Sequence, residues 1–276
     1  MPLIAETGGI NAMLVDSSAL PEQVVDAVVT SAFRSAGQRC SALRMLVVHE
    51  AIADGVIEMI QGAVQELVAG NTADLATDVG PVIDREAFDN IQRHIGRLKL
   101  EAKALVGDGA SARFAQVKEE PAKRAGDTEQ SALAPHPLAN LIAPHAFEVK
   151  SITDVKAEIF GPVLQVVRWG SGALSEPSDV IAQINALGYG LTLGIQTRID
   201  SRAQSLAAAA HVGNVYINRN MIGAVVGVQP FGGEGLSGTG PKAGGPNYLV
   251  RFCAEQTVTV NTTAAGGNAA LLAGGH

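Results

Sequence analysis

The sequence predicts an α/β protein built on a largely parallel sheet flanked by helices. Three observations carry that prediction. Short runs of β-branched and other apolar residues alternate with segments whose apolar positions recur at helical spacing, the order expected of strand–helix–strand units. Hydrophobic residues make up 47% of the 276 positions and charged residues 17%, which is ample material for a core. Aromatics are only 4% and glycines number 31, which suits an Ala/Val/Gly-rich α/β protein built by close backbone packing.

The elements follow in order. Met1-Pro2-Leu3-Ile4 looks like the end of a buried strand. Residues 11–16 read as a short strand. Residues 21–36 read as a helix, with Val24, Val25, Val28, Val29, Ala32 and Phe33 on one stripe and Pro21 in the first turn. A strand over 44–49 contains Met45, Leu46, Val47 and Val48. A second helix covers 52–69, closed by Gly70-Asn71. A third helical stretch covers 84–106, interrupted by Gly96. Residues 107–140 mix charges, Gly, Ser and Pro and read as an irregular surface excursion. A buried strand at 163–169, a helix at 178–187 ended by Gly188, a strand at 191–197, a helix at 201–210 and a strand at 214–218 complete the pattern. The expected organisation is one domain over 1–260 and a Gly/Ala-rich tail over 261–276.

Charge and composition exclude several classes. The formal charge of -7 argues against a general nucleic-acid surface. No apolar run reaches the ~18 residues of a membrane span, and no secretory signal is visible. Two cysteines, Cys40 and Cys253, do not make a disulfide framework, so a reduced, cytoplasmic setting is expected. No metal site is expected.

Four segments have the composition of a reactive site. Cys40 sits in Ser35-Ala36-Gly37-Gln38-Arg39-Cys40-Ser41-Ala42, where small residues and glycine lie between a helix and a strand. A cysteine on such a turn can present its sulfur to a cleft, and a neighbouring cation such as Arg39 would lower its pKa unless it points to solvent. Glu6 lies in Ala5-Glu6-Thr7-Gly8-Gly9, where glycines allow close approach of backbone or ligand. A carboxylate can activate water against a thioester, although a charged strand end has the same composition. Glu158-Ile159-Phe160-Gly161-Pro162-Val163 places a carboxylate and an aromatic ring beside a Gly-Pro turn at a sheet edge. That pair suits a sugar hydroxyl and a flat ring, or simply a loop with a packing Phe. Gln229-Pro230-Phe231-Gly232-Gly233-Glu234-Gly235-Leu236-Ser237-Gly238-Thr239-Gly240 follows Asn218 to Ala224 and reads as an ordered loop lining a site, but matches no phosphate-loop or dinucleotide fingerprint. Cys253, in the apolar run Leu249-Val250-Arg251-Phe252, reads as a packing residue.

These four motifs, Glu6-Thr7-Gly8-Gly9, Gly37-Gln38-Arg39-Cys40, Glu158 to Pro162 and Pro230 to Gly233, in that order, resemble the aldehyde dehydrogenase superfamily. The longer strings from Ser31 to Arg44 and from Asn218 to Gly245 are similar to its L-glutamate γ-semialdehyde dehydrogenase branch. The resemblance implies an aldehyde dehydrogenase catalytic domain with NAD as cofactor and a small aldehyde as substrate. It implies Cys40 as nucleophile, with its backbone N–H helping to stabilise the oxyanion. Glu6 becomes the base that activates water. Glu158 and Phe160 become the cofactor-binding pair. Gly223 and Ala224 anchor the amino-acid end of the substrate, and Ser41 and Phe231 line the aldehyde pocket. Family members carry a Rossmann-like NAD-binding region before the Glu-x-Gly-Gly segment, and this sequence starts almost at that segment. The expectation is therefore a catalytic half with most of that region missing, partnered by the missing NAD-binding portion or by further copies of itself. Arg34 stands where relatives often have an acidic residue. Two other readings compete: an inactive domain that associates with a partner, and a hydrolase in which Cys40 and Glu6 cleave an activated ester without NAD.

Overall fold

A computed structural model describes residues 3–107, 137–225 and 227–261. In chain order, β1 (Ala12–Val15) leads to α1 (Pro21–Phe33), and β2 (Met45–His49) leads to α2 (Glu50–Glu66). Next come α3 (Arg85–Glu101), β3 (Lys103–Val106), β4 (His145–Glu148) and β5 (Val163–Trp169). Then follow α4 (Pro177–Ala186), the two-residue β6 (Tyr189–Gly190), β7 (Thr192–Gln196), α5 (Asp200–Ala209) and β8 (Asn214–Ile217). A short β9 (Glu234–Gly235) pairs antiparallel with β6.

The seven-stranded sheet runs β3-β4-β5-β2-β1-β7-β8. All its neighbouring strands are parallel except β3 and β4. Because side chains alternate along a strand, the sheet sorts its apolar residues into two cores. Met13, Val15, Leu46 and Val48 face α1 and α2, packing on Val28, Phe33, Val56 and Ile60. Ala12, Leu14, Met45 and Val47 face the other side, with Ile91 and Ile95 of α3, Val180 and Ile184 of α4 and Leu206 of α5. Both faces are covered, which explains why the central strands read as continuous apolar runs.

Helix boundaries have local causes. Pro21 occupies the first turn of α1. His49 Nδ1 accepts the Ala51 N–H at 3.1 Å to cap α2, and the Asp84 carboxylate accepts the Ala87 N–H at 2.8 Å to cap α3. α1 ends at Phe33, short of the expected 36, because Ser35 and Ala36 take left-handed backbone angles of φ 58° and 53°. The helix expected over 84–106 stops at Glu101. Its last residues form β3, whose exposed Lys103 and Ala104 fit an edge strand better than a helix end. β4 had no separate signal, since only four residues, His145 to Glu148, are paired. Most of the expected excursion and nearly all of the tail lie outside the described residues. Cys253 is a correction: it is exposed, as are Leu249, Val250 and Phe252 around it, so it packs no core. No described helix is long and apolar enough to cross a membrane.

Candidate active site

The segments with reactive composition converge at one end of the central strands. Glu6 precedes β1, Cys40 precedes β2, and Glu158 and Phe160 precede β5. These strands are parallel, so the residues gather at their amino ends. Open α/β sheets more often bind ligands at the carboxyl ends. A cavity of about 440 Å³ opens there, and Glu6, Cys40, Glu158, Phe160 and Phe231 all line it. Gly8, Gly232 and Gly233 form wall without side chains.

The turn that carries Cys40 is an unusual piece of backbone. Ser35, Ala36 and Gly37 have consecutive positive φ values of 58°, 53° and 64°. Such angles cost a non-glycine residue about 1 kcal/mol or more each, so surrounding contacts must hold them. At Gly37 a side chain has no room, since a Cβ would lie 2.2 Å from the Gly161 carbonyl oxygen. Cys40 follows and is exposed. Burial of its sulfur against the cavity wall still pushes the thiol pKa up, against the pull of the Ser41 and Cys40 backbone N–H groups. The negative charges of Glu158 and Glu6 add to the upward push. Arg39 does not relieve it: its Nε donates to Ser35 Oγ at 3.1 Å, back along the turn.

Beneath the turn lies Arg44, whose side chain is only 2% exposed. Its Nη1 donates to the carbonyls of Gly37 (2.7 Å) and Gly161 (3.3 Å). Its Nη2 donates to the Arg39 carbonyl (3.1 Å) and to Glu158 Oε1 (3.2 Å). Burial pulls the guanidinium pKa down and Glu158 opposes that pull. The second Glu158 oxygen accepts the Gly9 N–H at 3.1 Å. Gly8 must lack a side chain here, because a Cβ would fall 1.6 Å from Glu158 Oε2. Phe160, 45% exposed, stands at the mouth with the Arg44 guanidinium 5.2 Å from its ring centroid.

The late glycine loop is ordered, and it is stitched to the Glu6 segment. Glu6 bridges Gly238, the Thr7 N–H donates to the Ser237 carbonyl (3.2 Å), and the Thr239 N–H donates to the Ala5 carbonyl (3.1 Å). Ser237, fully buried, accepts the Gly190 N–H at 3.1 Å. Of the remaining residues singled out in the sequence, Ser41 is buried beside Cys40, and Gly223 and Ala224 lie in the loop after β8. None of the three is among the residues lining the cavity. Sequence reasoning missed Arg44, Asn11 and Ser237 as site residues. The first two had a signal: each is a polar residue placed directly before an apolar strand. Among the described residues, no group of three or more His, Cys, Asp or Glu side chains is placed to hold a metal.

A thiol on a strained turn and a carboxylate line one cavity, an arrangement that covalent thiol catalysis can use. Residues 1–258 match the model of the aldehyde dehydrogenase family, and the chain belongs to that family. It is 52% identical over 256 residues to the bifunctional protein PutA of Escherichia coli, covering 93% of this chain and 18% of that protein. It is 34% identical over 257 residues to 1-pyrroline-5-carboxylate dehydrogenase of Bacillus cytotoxicus, covering 45% of that protein. Among solved structures, a proline utilization A mutant from Bradyrhizobium japonicum superposes with a TM-score of 0.81 and 53% identity, over 96% of this chain and 24% of that one. A 1-pyrroline-5-carboxylate dehydrogenase from Thermus with bound NAD superposes with a TM-score of 0.74 and 32% identity, over 90% of this chain and 43% of that one. The chain thus spans about a fifth of the PutA protein and under half of the dehydrogenase.

Proposed function

We propose that the chain carries the catalytic chemistry of an NAD-dependent L-glutamate γ-semialdehyde dehydrogenase, a step of proline catabolism. The observation that carries this reading is the shared cavity of Cys40 and Glu6. The Cys40 sulfur attacks the aldehyde carbon to give a thiohemiacetal, with the Cys40 backbone N–H helping to stabilise the oxyanion. Loss of hydride turns that adduct into a thioester. Glu6 takes a proton from water, which attacks the thioester carbon, releases L-glutamate and frees the sulfur. Phe231, in the cavity lining, flanks the aldehyde, whereas Ser41 and the Gly223-Ala224 loop stand outside that lining and take no part in this step.

The cavity wall fits the nicotinamide end of NAD. Glu158 keeps acceptor capacity on both oxygens for a ribose hydroxyl, and Phe160 offers an exposed ring at the mouth. When bound, NAD supplies the acceptor for the hydride. The relatives named above are a bifunctional protein PutA, a proline utilization A and two 1-pyrroline-5-carboxylate dehydrogenases, and those names support the substrate class. A reduced, cytoplasmic setting would suit a working thiol.

Purified protein incubated with glutamate semialdehyde and NAD is expected to form NADH, and Cys40→Ala to abolish it. Turnover surviving in Cys40→Ala would exclude Cys40 as nucleophile. A folded parent chain that forms no NADH would refute a self-sufficient dehydrogenase. One observation favours a second reading, association with a partner or with further copies. Leu249, Val250, Phe252, Val258 and Val260 are between 64% and 77% exposed along one segment. Size-exclusion chromatography separates the two, since a clean monomer counts against association.

A further inference from the structure

Asn11 is 2% exposed and uses every polar atom of its side chain. Its Nδ2 donates one proton to the Cys40 carbonyl at 2.7 Å and the other to the Ala42 carbonyl at 2.9 Å. Its Oδ1 accepts the Thr192 N–H of β7 at 3.2 Å. The amide has one seat, because even a Cβ on Gly9 would come within 2.6 Å of that oxygen. Its own carbonyl accepts the N–H groups of Arg44 (3.0 Å) and Met45 (3.1 Å), so the residue is locked to the start of β2.

The Cys40 carbonyl and the Ser41 N–H belong to one rigid, planar peptide unit. Fixing the oxygen therefore fixes the direction of the N–H on its other side. That N–H, together with the N–H of Cys40, pulls the thiol pKa down. Arg44 holds the neighbouring carbonyls of Gly37 and Arg39, while the Cys40 carbonyl itself is held by Asn11. We propose that Asn11 is a positioning residue, which orients the Cys40–Ser41 peptide so that the Ser41 N–H supports the sulfur anion. Asn11 acts through the peptide and does not itself touch the reacting atoms. The inference rests on the reading of Cys40 as the nucleophile.

The charged and titratable groups facing the sulfur are Glu6, Glu158, Arg44 and Tyr216. The test must leave them unchanged and add no charge. Asn11→Leu keeps the branched shape, with added bulk, but donates nothing, and Asn11→Ser keeps polarity without the reach. The exposed Cys253 is replaced by Ser throughout. The measurement is the pH dependence of iodoacetamide alkylation of Cys40 on the full chain, with thermal unfolding alongside. The expected result is a rise of about one unit in the alkylation pKa of either variant, or a roughly tenfold slower reaction near neutral pH. If Asn11→Leu does not fold, Asn11→Ser decides. A variant that melts earlier while its alkylation profile stays at the parent's position would overturn the proposal and leave Asn11 a structural residue only. Alkylation needs neither NAD nor an aldehyde. A shifted profile in a chain that forms no NADH would therefore defeat the proposed reaction and keep this role.

Discussion

The buried Arg44–Glu158 pair can be dissected by a double-mutant cycle of Arg44→Met, Glu158→Gln and the double variant. Arg44→Met removes four donations: three to the carbonyls of Gly37, Arg39 and Gly161, and one to the carboxylate. At about 1 kcal/mol for each neutral acceptor, the three carbonyls account for about 3 kcal/mol. Glu158 then loses its cation, but its side chain is 16% exposed on the cavity, so water recovers part of that loss. The single variant should therefore cost about 4 kcal/mol in urea unfolding. Glu158→Gln retains one acceptor for the two donors Gly9 N–H and Arg44, and should cost about 1–2 kcal/mol. With both changes made, the unpaired-charge penalties vanish together, and the double variant should cost no more than Arg44→Met alone. The coupling is then about 1–2 kcal/mol, within the range of contacting pairs. A coupling under about 0.5 kcal/mol would mean that the two groups are independent, and that Arg44 serves only the carbonyls of Gly37, Arg39 and Gly161.

Three further outcomes are expected. Because Glu158 pushes the Cys40 thiol pKa up, Glu158→Gln should move the alkylation profile of Cys40 to lower pH, and a profile unmoved or moved upward would contradict the electrostatic account. Gly37→Ala would set a Cβ 2.2 Å from the Gly161 oxygen at a φ of 64°, so it should lower the melting temperature by several degrees; an unchanged melting temperature would show that the turn tolerates repacking. His94 is held at a pKa of about 4, first by burial and then by Arg97, while its unfolded value is near 6.5. The unfolded chain thus takes up a proton that the folded chain refuses. The contribution is complete above pH 6.5 and is lost as pH falls toward 4, by at most about 3 kcal/mol. His94→Gln should flatten that part of the stability profile, and an unaltered slope would place the acid loss elsewhere.

The α/β alternation was legible because each central strand is buried on both faces and each helix carries one apolar stripe. Residues 163–169 came out with the expected bounds for that reason. Boundaries failed where long-range contacts decide. Ser35 and Ala36 continue a helical composition, yet Arg44 and the Gly161 carbonyl fix the turn around Gly37 from 7 and 117–124 residues away in sequence. β3 and β4 are four-residue strands whose pairing alone defines them, and no local pattern separates the first from the end of a helix. At the site, the motifs showed which residues carry reactive groups but not which way they turn. Arg39, adjacent to Cys40, looked like the cation that tunes it, whereas the guanidinium lying beneath the turn belongs to Arg44. Cys253 shows the converse error: an apolar neighbourhood in sequence became an exposed segment, because apolar composition reports a tendency to be covered and does not supply the cover.

The convergence of the site follows from sheet register together with the length of chain leading into each strand. Ala12 of β1 pairs with Met45 of β2, and Met45 pairs with Gln165 of β5, so these three residues form one row across the sheet. Counted back from that row, Glu6 lies six residues earlier, Cys40 five and Glu158 seven. Lead-in segments of such similar length can bring their side chains to nearly the same height above the row. The left-handed turn before Cys40 and the Gly-Pro turn after Phe160 bend two of them over the sheet edge. The main chain then ties the leads together, with the Arg44 and Met45 N–H groups on the Asn11 carbonyl and the Gln165 N–H on the Arg44 carbonyl. Asn11 and Arg44 are thus the last residues before the row in β1 and β2. Their backbones set the register while their side chains reach back to hold the turn that presents the thiol. That double duty explains why two fully polar residues sit at the threshold of strands otherwise built from Met, Leu and Val.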